Sequence, residues 1–311
     1  MKIRGDLVGA AAGPLEREVD ARWLMAYAAA LGETAPCYLD TLRPQGIVAH
    51  PLFPVCYEWP ALLQLRAALP SEVALRAVHA THDLRLHRPL RVGERLLTTA
   101  KVQAVEARRA GAYVRSRIAT VDVDGMPVTT TEYGSLYLAV TCDRGPGDAT
   151  PGGGRSTVGR EGDGGACDAD PEAAHGEAGS PADPAHSLDV EAAVAVSPLL
   201  AHVYSECARI WNPIHTDRAA AGAAGLPAII LHGTATLALA VSAVLASERS
   251  DAAPRVRRIA CRFAGMVRMP SSLTVRGRWR PAEPGHRECE FTVLSAEGKP
   301  AVRDGRLLLV D

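Results

Sequence analysis

The sequence predicts an α+β protein of two related halves, each an antiparallel sheet wrapped around one central apolar helix. Three observations carry this. A compositionally distinct stretch divides the 311 residues, the flanking segments repeat one another, and in each repeat the helices precede the strands. Runs of helix followed by runs of strand, without βαβ alternation, favour an antiparallel arrangement over a doubly wound one.

The dividing stretch is Asp143 to Ser187. Its 45 residues hold eleven Gly and five Pro, no aromatic residue, and Val158 as the only large aliphatic side chain. Such a composition buries too little apolar surface to offset its ordering entropy, so a flexible linker is expected. Cys167, His175 and His186 fall on it. The expected organisation is residues 1–142 as a first, degenerate domain, 143–187 as linker, and 188–311 as a second domain.

The repeat is read at an offset of 177, shifting to 179 in one stretch. Tyr27 to Asp40 (YAAALGETAPCYLD) aligns without gaps on Tyr204 to Asp217 (YSECARIWNPIHTD), an offset of 177 that pairs Tyr27 with Tyr204, Pro36 with Pro213 and Asp40 with Asp217. Gly46 to Ala49 faces Gly225 to Ala228, and Arg91 to Leu96 faces Arg268 to Leu273. Few positions are identical; the shared order and spacing point to duplication.

Each copy opens with a short amphipathic helix, from Asp20 as N-cap to about Leu31, and from about Pro198 to Arg209. A longer apolar helix follows, roughly Phe53 to Leu69 and Gly233 to Ser247; Pro60 must kink the first or mark its start. Alternating strands close each copy. They are expected at Ala80–His87, Leu96–Val105, Ala112–Val123 and Thr129–Val140, then at Arg257–Phe263, Leu273–Trp279, Glu288–Leu294 and Ala301–Val310.

Bulk properties narrow the function. A net charge of −1 lacks the concentrated basic face of a nucleic-acid binder. No apolar run reaches the length needed to span a bilayer, and the first residues lack a signal-peptide layout, so a cytoplasmic protein without membrane or nucleic-acid partners is expected. Seven scattered cysteines without a Cys-x-x-Cys pair read as free thiols. No nucleophile elbow, phosphate loop, dinucleotide fingerprint or His-Glu-x-x-His is present, so neither a cofactor nor a metal is expected. His79, His82 and His87 share a strand whose alternation sends 82 and 87 to opposite faces, which argues against a metal site.

Chemistry concentrates in Tyr204 to Asp217 and in Ile230-Leu231-His232-Gly233. Asn212-Pro213 breaks a helix and turns the chain, placing His215 on an irregular segment where a side chain can be aimed into a cleft. His232-Gly233 opens an apolar helix whose first N–H groups are unpaired and whose glycine admits a ligand close to the backbone. An imidazole beside such an amide can act on a carbonyl whose developing charge the amide stabilises.

These residues resemble the motif of MaoC-like dehydratases and (R)-specific enoyl-CoA hydratases, Asp-x-Asn-Pro-x-His followed by a His-Gly helix start. Asn212, Pro213, His215, His232 and Gly233 match it, Tyr204 matches the preceding tyrosine, and Ala49 to Pro54 resembles a turn of the first domain in two-domain members. The resemblance implies a double hot-dog fold and an acyl-CoA or acyl carrier protein thioester as substrate. It implies reversible hydration of a 2-enoyl chain, as in fatty acid metabolism. His215 becomes the catalytic acid or base and the Gly233 amide the oxyanion donor. Tyr204, Trp211, Asn212, His232 and Phe53 are the candidate substrate-binding positions, with core or pocket lining as the reading of Tyr204 and Trp211 and a structural place at the helix start as the alternative for His232. An apolar tunnel from the first copy is expected to take the acyl tail.

The sequence departs from that motif where the aspartate belongs: Ile210 stands five residues before His215, and Arg209 replaces a common glycine. Losing one of a cooperating acid–base pair removes orders of magnitude in rate. Glu206 shares a helical face with position 210 if the helix persists, and is the candidate replacement; a surface glutamate is the alternative. The first copy has Glu33 and Tyr38 at the two motif positions, a relic or a second site. Arg85, Arg88 and Arg91 are either contacts for a carrier phosphate or a solvated edge. Three activities remain open: a lyase on α,β-unsaturated acyl thioesters with an unchanged or altered nucleophile, a hot-dog thioesterase, and a non-catalytic thioester binder or partner subunit, as a homodimer or beside a homologue.

Overall fold

The computed structural model describes residues 1–143, 189–248 and 253–310. The expected linker, with Cys167, His175 and His186, lies outside the described residues apart from Asp143. In chain order the first half comprises β1 (Lys2–Ile3), β2 (Ala11–Glu18), α1 (Ala21–Ala30), α2 (Pro36–Leu39), α3 (Pro54–Ala67), α4 (Ser71–Ala74), β3 (Ala77–Leu86), β4 (Arg95–Arg108), β5 (Gly111–Asp122), β6 (Pro127–Leu138) and β7 (Thr141–Cys142). The second half comprises β8 (Val190–Val196), α5 (Leu200–Ala208), a 3-10 turn at Pro213–His215, α6 (Arg218–Ala223), α7 (Gly233–Ala246), β9 (Val256–Phe263), β10 (Ser271–Pro281), β11 (His286–Leu294) and β12 (Pro300–Val310).

Among the described residues, ten strands form one sheet in the order β2-β4-β5-β6-β3-β9-β12-β11-β10-β8. Read from either outer edge inward, the two halves have the same order, as a duplicated unit requires. The two sheets are joined along β3 and β9, which pair antiparallel with His82 opposite Cys261 and Leu84 opposite Ile259. Arg258 on β9 clamps Asp83 on β3 across that seam, Nε to Oδ1 at 2.8 Å and Nη2 to Oδ2 at 2.7 Å. The duplication also shows in the interior. Tyr27 and Tyr204, 177 positions apart, are fully buried and meet through their hydroxyls at 3.3 Å.

Each half keeps one long helix against its sheet, the double hot-dog arrangement. In α7, Ala235 to Val241 are buried without interruption, so the helix is enclosed nearly all round over its first two turns. Helix α3 runs through Pro60, whose missing N–H leaves the Cys56 carbonyl without its usual donor. The sequence reading missed β2 and β8. Both are the outermost strands of the sheet, and β2 (AAGPLERE) shows one face to solvent and almost nothing to the core, so its alternation is weak.

The first-copy counterpart of the motif is closed on itself. His50 is buried, its Nδ1 accepts from the Leu52 N–H at 3.1 Å and its Nε2 meets the Ser242 hydroxyl of α7 at 3.2 Å. Both ring nitrogens are thus engaged, with Tyr38 packed against the ring and Glu33 3.8 Å away. Arg88 is likewise committed, pairing with Glu94 at 2.7 Å and Asp122 at 2.9 Å.

Candidate active site

The site is built where α5 ends. Helix α5 stops at Ala208 because Arg209 takes the left-handed conformation (φ 57°), with its N–H bonded to the Glu206 carbonyl and the Ile210 N–H to the Ser205 carbonyl. This is a Schellman-type ending, which ordinarily favours glycine. Arg209 is held there by its guanidinium over the Trp23 ring, 4.1 Å from the centroid, and by Asp20 at 3.8 Å. The chain then extends through Asn212, and Pro213 starts the single turn that carries His215. Asp217 caps α6 through the N–H groups of Ala219 and Ala220, a structural role.

His215 is 9% exposed, and its Nδ1 lies 2.8 Å from the Ile230 carbonyl oxygen. A carbonyl only accepts, so Nδ1 carries the proton and Nε2 is left as a free base. The ring stacks on His232, centroids 3.7 Å apart, and His232 Nε2 meets the Ser205 hydroxyl at 3.2 Å. Burial pushes the His215 pKa down to about 4, so the ring is neutral over the physiological range; the Ile230 bond opposes that shift and the Arg66 charge adds to it.

His232 is also the N-cap of α7 and makes no side-chain cap, so the first N–H groups of this 14-residue helix, at Gly233 and Thr234, have no capping partner. They carry the positive end of the helix dipole. A Cβ at position 233 would stand 3.2 Å from the Phe263 ring, a tight contact that glycine avoids. His215, His232, Gly233, Thr234, Asn212 and Ile210 all line one cavity of about 120 Å³.

Four of the expected residues lie elsewhere. Glu206 is on the exposed side of α5, where it accepts from the Trp211 indole N–H at 3.2 Å. Positions 206 and 210 would share a face only on a continuous helix, and the turn at Arg209 ends α5 before it reaches 210. Trp211 itself is 58% exposed and borders an outer groove instead of the cavity. Phe53 is fully buried core, edge-on to Trp23 and Tyr27. Tyr204 is buried beneath the site, donating to Thr234 Oγ1 at 3.1 Å, so it buttresses the start of α7.

The opposite wall comes from the first half, and it is not the apolar tunnel expected. Helix α3 contributes Glu58 and Arg66, β3 contributes His79 and His82, and β6 contributes Tyr133, interleaved with Val55, Trp59 and Leu62. Glu58 is the carboxylate among the cavity-lining residues, 2% exposed and accepting from Thr131 Oγ1 at 2.7 Å. Burial raises its pKa to about 7 against the lowering effect of the Thr131 and Thr129 hydroxyls. The signal was a charged residue inside the apolar run Pro54 to Leu65.

A stability prediction follows from Glu58. Because its folded pKa is raised, the native state holds a proton that the unfolded chain has released between about pH 4.5 and 7. Stability is therefore lost as pH rises through that window, by on the order of 3 kcal/mol for a shift of this size. Glu58→Gln keeps an acceptor for Thr131 and cannot ionise. Its thermal midpoint, measured by scanning calorimetry, is expected to gain on the wild type by several degrees at pH 8 and by little at pH 5.

Residues 181–293 match the MaoC like domain family, and residues 6–131 match the FAS1-like, dehydratase domain region. The second half is a MaoC-like domain. Of curated proteins, the enoyl-CoA hydratase ChsH3 of Mycobacterium tuberculosis is 34% identical over 100 residues, 32% of this chain and 35% of that protein, so the match spans about a third of the relative's length. The double hot-dog fold takes in both halves of the described residues. A MaoC-like dehydratase from Phytophthora capsici superposes with a TM-score of 0.73 at 20% identity, covering 98% of this chain and 96% of that one. The peroxisomal multifunctional enzyme type 2 of Drosophila melanogaster gives 0.69 at 22% identity, covering 96% and 48%. A double hot-dog protein of Mycobacterium tuberculosis gives 0.63 at 16%, covering 97% and 96%. The MaoC-like half supplies the histidine, the turn and the helix start; the FAS1-like half supplies the facing wall. No described helix is long and apolar enough to cross a membrane.

Proposed function

We propose that this chain is a lyase that adds water across, or removes it to form, the double bond of a 2-enoyl thioester on coenzyme A or an acyl carrier protein. The observation that carries the reading is one cavity lined by both a histidine with a free Nε2 and the uncapped start of a buried helix. In the hydration direction, His215 Nε2 takes a proton from water as the water oxygen bonds to C3. The C2=C3 electron pair shifts toward the thioester oxygen, where the Gly233 amide and the helix dipole hold the charge. The imidazolium then returns the proton to C2, and atoms and charge balance without a second base. His232, stacked beneath His215, and Asn212, at the head of the turn, position the imidazole and its neighbours.

Ile210 favours a second reading, a thioester binder or a partner subunit that has lost turnover, since isoleucine cannot hold the water. One assay separates the two, and also the thioesterase. With crotonyl and longer 2-enoyl thioesters, loss of enone absorbance is the expected result. Release of free thiol without it would assign a thioesterase, and saturable binding with neither would assign the binder.

A further inference from the structure

The first-half wall of the cavity holds more hydrogen-bonding capacity than an alkyl tail can use. The indole Nε1 of Trp59, the Nε of Arg66 and both ring nitrogens of His82 are buried and have no hydrogen-bond partner, and all three residues line the cavity. His82 is 1% exposed. The Arg66 guanidinium lies 5.1 Å over the Trp59 ring and donates from Nη2 to the Tyr133 hydroxyl at 3.4 Å, so both contacts are neutral. Buried donors without acceptors are rare in folded proteins, and a partly buried cation facing only neutral groups is unusual. Glu58 lies on the same helix eight residues before Arg66, about 12 Å along the axis, so it does not neutralise the guanidinium.

We infer that the acyl group of the substrate ends in a carboxylate, received by Arg66 with the Trp59, His82 and Tyr133 donors around it. This rests on the thioester reading above and deepens it. A carboxylate supplies two acceptor oxygens and the missing negative charge, whereas an alkyl tail would leave each of those donors dry and unpaired.

Titration calorimetry with unreactive saturated thioesters tests this on the full chain: succinyl and butyryl esters, each of coenzyme A and of N-acetylcysteamine. Succinyl is expected to bind at least tenfold tighter than butyryl on both carriers. Arg66→Gln, with folding checked by circular dichroism, is expected to abolish that preference, and Arg66→Lys to restore part of it. Butyryl binding as tightly as succinyl overturns the inference, as does an Arg66→Gln effect confined to coenzyme A esters, which would assign the guanidinium to the carrier's phosphates. If none of the four esters binds, the thioester reading falls with it; if butyryl binds and succinyl does not, only the carboxylate does.

Discussion

Replacing His215 by alanine is expected to lower the rate of enone loss by about 10³-fold while changing thioester affinity only a few-fold. The ring contributes one hydrogen bond to the fold, to the Ile230 carbonyl, so the variant should remain folded. That same bond fixes the tautomer and turns Nε2 into the base. The pH profile provides an independent check. A base must be unprotonated, and burial brings the His215 pKa down to about 4, so kcat/KM should fall only as pH drops through that value and not near 6.5. Steady-state rates from about pH 3 to 8 measure it. An alanine variant as fast as the wild type, or an acid limb near 6.5, would remove His215 from the chemistry.

The neighbouring histidines sharpen the point. His50 and His82 are also held neutral by burial, to about 3 and about 4, yet they differ in what surrounds them. His50 has both nitrogens occupied and His82 has neither. His215, His232 and His79 each line the cavity with one ring nitrogen engaged, to the Ile230 carbonyl, the Ser205 hydroxyl and the Thr81 carbonyl; His215 is the one carried by the turn that Asn212-Pro213 opens. A lowered pKa is therefore common to the buried histidines of this fold and does not by itself mark the chemical one.

What the sequence made legible was local. The duplication, the two central helices, eight of the strands and the His215–Gly233 convergence all follow from short stretches whose spacing is set by backbone rules. What it hid was assembled across the chain. Glu58 and Arg66 face His215 from another half, more than 140 positions away, and no periodicity links them. The error over Glu206 came from one backbone angle. Extending α5 by two residues would have put 206 and 210 on one face, but Arg209 in a conformation that usually marks glycine ends the helix at Ala208. Phe53 was misplaced because an aromatic residue beside a proline turn reads equally well as pocket or core, and the packing of Trp23 and Tyr27 decides it.

Ile210→Asp is expected to raise kcat/KM for hydration of plain crotonyl thioesters by about 100-fold, the scale of one well-placed acid–base group. Ile210 is 4% exposed and lines the same cavity as His215, and its own N–H bond to the Ser205 carbonyl does not depend on the side chain. An aspartate there would therefore sit on the intact turn, facing the cavity that His215 lines. Desolvation would raise its pKa toward the range where it exchanges protons readily. The same burial costs stability, roughly 1–3 kcal/mol for a partly compensated polar group, visible as a lower urea midpoint. Rate should rise while stability falls, a pairing that repacking of the core would not give. A folded Ile210→Asp protein that binds thioester and gains no rate would show that the water is not held at position 210, and that this cavity organises its nucleophile from the first-half wall instead.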